Sequence, residues 1–160
     1  AVLRSEEALA GGAVLEAVEA NRTEYDRVCV VYADCGTGGR LQRLCETLGV
    51  EMVAGPHCYA FFDGLESFAQ RDEMTAFYLT DFLVRQFDAF VWRPLGLDRH
   101  PQLRDTYFAH YETLVHLAQT DDPALEAQAR DHARRLGLRF ERRLTGYGEL
   151  ATTMDRWAAP

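Results

Sequence analysis

The run Arg27-Val28-Cys29-Val30-Val31-Tyr32-Ala33 carries apolar, mostly β-branched residues on consecutive rather than alternate positions. A strand of that kind has to be covered on both faces, which is the situation of a parallel strand between two layers of helices. It breaks into Asp34-Cys35-Gly36-Thr37-Gly38-Gly39, and helical spacing then resumes through Leu41, Leu44, Cys45 and Leu48, with Gly49 placed to cap the helix. Strand, glycine turn and helix together make the first part of a β-α-β unit.

The rest of the chain repeats this alternation. An Ala-, Leu- and Glu-rich stretch up to about Asn21 reads as a helix. Glu51 to Ala54 reads as a second strand, followed by the loop Gly55-Pro56-His57-Cys58-Tyr59. A short helix is expected near Leu65 to Gln70, a third strand at Ala76 to Thr80, and an amphipathic helix from Asp81 to Phe90. Pro101 suits the first turn of a helix reaching about Glu112. A fourth strand follows at Leu114 to Ala118. Asp121-Asp122-Pro123 caps a helix ending at Leu136 before Gly137, Leu138 to Leu144 forms a fifth strand, and Thr145-Gly146-Tyr147-Gly148-Glu149 opens a last helix. The pattern predicts a mostly parallel sheet of about five strands with helices on both faces, a three-layer α/β sandwich of Rossmann or flavodoxin type. Its 160 residues, 48% of them hydrophobic, suit one domain over residues 1–160.

Charge excludes several functions. The net charge is −8, with 25 acids against 17 bases, which disfavours nucleic acid and anionic membrane surfaces as partners. Every base is Arg. Without Lys there is neither a Schiff-base amine nor the Gly-Lys-Ser/Thr of a phosphate-binding P-loop. No apolar run reaches the roughly 18 residues of a membrane span, and the first residues lack a basic signal-peptide start. The four cysteines (Cys29, Cys35, Cys45, Cys58) form no dense disulfide framework. A reducing, cytoplasmic setting is therefore expected.

Ligands of open parallel sheets bind beyond the carboxyl ends of the strands. The five loops there are rich in Cys, His, Asp, Thr and Gly, so a small-molecule site is expected on that rim. Gly36, Thr37, Gly38 and Gly39 offer backbone N–H groups to an anionic ligand at a helix N-terminus, a position that also favours a Cys35 thiolate. The glycine spacing is not the dinucleotide fingerprint, and a tight turn around a buried Cys is the bland alternative. His57 and Cys58 put two soft ligands side by side, with a capping His and an inert Cys as the alternative. Asp81, Asp121 and Tyr147 are expected to line the pocket.

Elsewhere the residues read as structural. Cys29 and Cys45 fit the core, His116 fits a satisfied core histidine, His110 and His132 fit packing or surface roles, and Asp98-Arg99-His100 fits a capping cluster. No Gly-x-Ser-x-Gly elbow occurs.

At these loops the chain resembles an uncharacterised bacterial and archaeal family, a conserved domain of unknown function. The shared words are Tyr32-Ala33-Asp34-Cys35-Gly36-Thr37-Gly38-Gly39, Gly55-Pro56-His57-Cys58-Tyr59-Ala60-Phe61-Phe62 and Phe77-Tyr78-Leu79-Thr80-Asp81-Phe82-Leu83. They continue through Gly96-Leu97-Asp98-Arg99-His100-Pro101, Leu117-Ala118-Gln119-Thr120-Asp121-Asp122 and Gly146-Tyr147-Gly148-Glu149-Leu150. The resemblance implies genes beside corrinoid-dependent methyltransferases. It also implies a third Cys at the end of an N-terminal first strand, which this chain, lacking an initiator Met, is expected to start after. Three such cysteines would suit an iron–sulfur cluster or a zinc ion with an open position.

The leading expectation is thus a thiolate-ligated zinc or iron–sulfur site, with Cys35, Cys58 and His57 as ligands, serving one-carbon or methylamine metabolism. A metal-free module docking on a methyltransferase or corrinoid protein is the alternative. A third is a nucleophilic-Cys transferase or hydrolase using Cys35 with His57 as base.

Overall fold

A computed structural model describes residues 2–32, 37–53, 57–64, 66, 70, 71 and 73–159, with side chains described from Gly11 onward. Its elements run α1 (Val2–Asn21), β1 (Cys29–Val30), α2 (Arg40–Leu48), β2 (Glu51–Met52), α3 (Cys58–Asp63), β3 (Ala76–Thr80) and α4 (Asp81–Arg85). A π-helical turn (Asp88–Trp92), α5 (Leu103–Tyr107), β4 (Thr113–Ala118), α6 (Pro123–Leu136), β5 (Arg139–Leu144) and α7 (Gly148–Ala158) complete it. The fold is α/β. All five strands pair in parallel, divided between a two-stranded sheet, β1-β2, and a three-stranded sheet in the order β3-β4-β5.

The larger sheet is covered on both faces, as its apolar strands require. On one face Leu79 and Leu114 pack with Val84 of α4, Phe87 and Val91 of the π-helical region, and Leu125, Ala129, Ala133 and Leu136 of α6. Those α6 positions recur every three or four residues and make one apolar stripe. Each buried Leu contributes about 2 kcal/mol by leaving water. On the other face Tyr78, Val115 and Leu117 meet Tyr59 of α3. The smaller sheet has its own core, in which Val18 of α1 and Leu41 and Cys45 of α2 close over Val30.

The caps follow the sequence. Asp122 accepts from the N–H groups of Ala124 and Leu125 at 2.9 and 3.2 Å, and Gly49 and Gly137 end α2 and α6 in the left-handed conformation at φ 66° and 77°. Four elements differ from the expected spans. β1 and β2 each pair over two residues, because each has a single neighbour among the described strands. The helix expected from Asp81 to Phe90 breaks at Gln86 into α4 and a π-helical turn. The helix expected from Pro101 is reduced to α5. The helix expected near Leu65–Gln70 falls largely outside the described residues. Among the described residues no helix is long and apolar enough to cross a membrane.

The two sheets are tied together through α7. Trp157 Nε1 donates to Glu51 Oε2 at 2.6 Å, Arg27 Nη2 pairs with Glu51 Oε1 at 2.6 Å, and Arg27 Nη1 reaches the Trp157 carbonyl at 3.2 Å.

Candidate functional site

β1 and β2 lie side by side in parallel, with Val30 opposite Met52, and Val53 N–H donates to the Val30 carbonyl at 3.1 Å. Their continuations, toward Cys35 and toward His57-Cys58, therefore leave the sheet at the same end. Cys35 and Gly36, together with Gly55 and Pro56, lie outside the described residues. Thr37 is buried, and Gly38 and Gly39 both take positive φ, 60° and 77°, which only glycine adopts without strain, so the turn into α2 depends on them.

His57 is the extended residue preceding α3, and Cys58 is the first helical residue, its side chain half-buried. The His57 ring lies 5.5 Å from that of Tyr59, which in turn packs 5.6 Å from Tyr78 of β3. Burial holds the imidazole of His57 below its usual pKa, so it stays neutral at pH 7 and able to ligate or to accept a proton. From the other side α3 is fixed by α7. A Cβ at Gly148 would stand 2.5 Å from the Phe62 carbonyl and 2.6 Å from that of Phe61, so the two backbones meet where no side chain fits.

A second polar centre lies at the carboxyl ends of β3 and β4. Asp81, the first residue after β3, is 4% exposed. Its Oδ1 stands 2.9 Å from His116 Nε2 and accepts the Gln119 N–H at 3.1 Å; its Oδ2 accepts the Thr120 N–H at 3.1 Å and hydroxyl at 2.7 Å. Gln119 closes the network by accepting the Asp81 N–H at 2.8 Å. Burial alone would raise the Asp81 carboxyl, but the hydrogen bonds from Thr120, His116 and Gln119 outweigh it and hold the group below its usual pKa. Burial likewise holds His116 below its usual value, against the pull of Asp81. The imidazole is thus neutral, donates through Nε2, and keeps its lone pair on Nδ1, a buried atom without a partner among the described residues.

The residues expected on one rim are therefore in different situations. Asp81 is a buried linchpin between β3 and β4. Asp121 is exposed and pairs with Arg142 at 2.6 Å, and Tyr147 is an exposed residue at the start of α7. Cys45 is fully buried, with burial pushing its thiol pKa up, whereas Cys29 is half-buried. The pairing of His116 with Asp81 was not visible in the sequence. The available signal was that Asp81 directly follows one predicted strand while His116 lies inside the next, just ahead of Gln119-Thr120.

The donor types of Cys58 and His57, a thiol sulfur and an imidazole nitrogen, are those that zinc takes, and the sulfur also suits an iron–sulfur cluster. Among the described residues no group of three or more His, Cys, Asp or Glu side chains is gathered closely enough to hold a metal ion. These two residues supply at most part of a ligand set, and a complete one requires Cys35 or a group from outside the described residues.

Two parallel sheets with helices define an α/β domain. The chain belongs to the family described as Protein of unknown function (DUF1638), whose model matches residues 11–154. No curated protein and no solved structure matches it.

Proposed function

We propose that this protein carries a thiolate-ligated metal centre, zinc or an iron–sulfur cluster, at the carboxyl ends of β1 and β2. Cys35 and Cys58 are the thiolate ligands, and His57 is a further ligand or a hydrogen-bond donor to one. The observation that supports the reading is the parallel pairing of β1 with β2, the strands that the Asp34-Cys35 and His57-Cys58 sequences follow. When bound, such a centre supplies a Lewis acid or an electron-transfer site with an open coordination position. The chain's own residues do the rest. Gly38 and Gly39 open the backbone at the start of α2 so that an anionic substrate can approach its N–H groups, and Thr37 anchors that turn. The setting we propose is one-carbon or methylamine metabolism, beside a corrinoid-dependent methyltransferase, in the cytoplasm.

The test is anaerobic expression of the full chain, followed by elemental analysis and visible spectroscopy beside Cys35→Ser and Cys58→Ser. Near-stoichiometric zinc, or iron with sulfide, lost in both variants while the fold persists by circular dichroism, is the expected result. A colourless, metal-free protein as stable as its variants would overturn the reading. In that case binding of a corrinoid protein that survives both substitutions would identify a docking module, and selective alkylation of Cys35 at neutral pH would identify a nucleophilic cysteine.

A further inference from the structure

The larger sheet ends in β5, whose one neighbour among the described strands is β4. Arg139 N–H donates to the Glu112 carbonyl and Thr145 N–H to the Ala118 carbonyl, both at 2.9 Å. Alternate residues of a strand turn their backbone groups to the same side, so Arg139, Glu141, Arg143 and Thr145 face β4. Phe140, Arg142 and Leu144 therefore turn their N–H and C=O groups outward, where no hydrogen-bond partner stands among the described residues. At β3, the other end of the sheet, Tyr78, Leu79 and Thr80 are buried, whereas Leu144 is 58% exposed.

The side chains of β5 are sorted as well. Phe140 packs against the core beneath α6, with the Arg130 guanidinium 4.4 Å from its ring. Arg142 lies on the same face, paired with Asp121 at 2.6 Å and with Glu126 of α6 at 3.5 Å. Leu144 joins them by alternation. Glu141 and Arg143 occupy the opposite face, where Arg143 pairs with Glu141 at 2.5 Å and with Glu73 at 2.7 Å.

An open edge is a template for another strand. We propose that β5 pairs antiparallel with β5 of a second copy of this chain, about a two-fold axis at Arg142. The two larger sheets then become one, in the order β3-β4-β5-β5-β4-β3.

The register follows from the hydrogen bonds and the charges together. With the axis at Arg142, Phe140 of one copy lies opposite Leu144 of the other, and Arg142 opposite Arg142. All of these are outward-facing residues, so each copy donates three N–H groups and accepts at three carbonyls, and no edge group of Phe140, Arg142 or Leu144 is left over. On the α6 face Phe140 meets Leu144 twice. On the α3 face Glu141 meets Arg143 twice, which is the charge complementarity that a second copy supplies. The two arginines that meet at the axis are each already held by Asp121 and Glu126 of their own chain. Moving the axis to Glu141 sets Glu141 against itself and Arg139 against Arg143, and moving it to Phe140 leaves Arg142 and Leu144 opposite residues outside β5. Charges that would repel a strand in another register thus select this one. Because the strands run antiparallel, the two carboxyl rims point to opposite ends of the joined sheet, and the interface is independent of any metal at β1 and β2.

The test is sedimentation equilibrium of the full chain over a wide range of concentration, with a thiol reductant present so that no cysteine bridge contributes. Amide hydrogen exchange is followed residue by residue at both ends of that range. Expected is a reversible monomer–dimer equilibrium in which the Phe140, Arg142 and Leu144 amides gain protection as the dimer forms, while those of Glu141 and Arg143 are protected throughout. Leu144→Pro removes an outward N–H that makes no bond within the chain, and Glu141→Arg changes an exposed side chain, so both variants keep the fold, as circular dichroism checks. Each is expected to weaken dimerisation about tenfold or more. A chain that stays monomeric leaves this edge to some other strand and overturns the proposal. So does a dimer whose Phe140, Arg142 and Leu144 amides exchange as fast as in the monomer, or one that both variants leave unchanged.

Discussion

His116 Nε2 stands 2.9 Å from Asp81 Oδ1, and the two side chains, 35 residues apart in the chain, are 1% and 5% exposed. The carboxylate also takes three donors from Gln119 and Thr120, so one side chain holds the end of β3 against the end of β4. Removing it strands four donors in the interior. Asp81→Ala is expected to cost about 3–4 kcal/mol, because each buried donor left without an acceptor costs about 1–3 kcal/mol before the site relaxes. Asp81→Asn, which keeps one acceptor oxygen, is expected to cost less. Urea denaturation of the two variants beside the parent checks the order, and equal stabilities would refute it.

Acidification is expected to destabilise the protein. His57, His116 and His132 are each held below the ordinary histidine value, burial being the first cause in all three. The unfolded chain therefore binds protons more readily than the folded one. The stability these groups contribute is present above about pH 6.5 and is lost as pH falls from there toward their folded values. Asp81 acts in the same direction in a lower window, below about pH 4. Urea midpoints at pH 7.5 and 5.5 test this, with the lower midpoint expected at pH 5.5; a midpoint independent of pH would exclude it.

Gly148 has no room for a single added methyl group. It combines φ +49° with carbonyl oxygens of α3 at 2.5 and 2.6 Å from an added Cβ. Gly148→Ala is expected to cost about 3 kcal/mol, roughly 6–12 °C in melting temperature for a chain of this size. Gly12→Ala is the control, since a Cβ there meets nothing within 4 Å. A thermal melt that ranks the two equally would contradict the backbone contact.

On the α3 face of the larger sheet, Arg143 pairs with both oxygens of Glu73 at 2.7 and 2.9 Å, and the Tyr78 hydroxyl donates to the same carboxylate. Burial, followed by Glu73, pushes the Tyr78 phenol up to about 12. Arg143→Ala would leave Glu73 half-buried without its main partner and is expected to cost about 3 kcal/mol. Ultraviolet titration gives a second measure: one tyrosine should resist ionisation past pH 11, and its loss in Tyr78→Phe assigns it.

The elements most legible in the sequence were those whose local signals agreed with their surroundings. α6 matches its expected span because Asp122 and Gly137 fix its ends and Leu125, Ala129, Ala133 and Leu136 fix its face. β3 matches because both its neighbours, β4 and the helices on either face, want the same five residues. The run from Arg27 to Ala33 promised a longer strand than the two residues that pair among those described, because ladder length depends on the partner, and there Cys29 and Val30 lie against Glu51 and Met52. The division of five parallel strands between two sheets was likewise invisible, since apolar patterning records that a strand is covered and not which strand lies beside it. For the same reason His116 read as a satisfied core residue. One of its nitrogens is satisfied, but only the folded chain brings Asp81 to it.

The contact of Gly148 with the carbonyls of Phe61 and Phe62 bears on the order in which the molecule is made. α3 carries His57 and Cys58 at its start, yet the backbone that seats it belongs to α7, translated more than eighty residues later. During synthesis Tyr59 of α3 can pack on Tyr78, Val115 and Leu117 before α7 is made, but the backbone contact on its far side is still missing. The last support of the helix that carries Cys58 is therefore supplied only once Gly148 has been made.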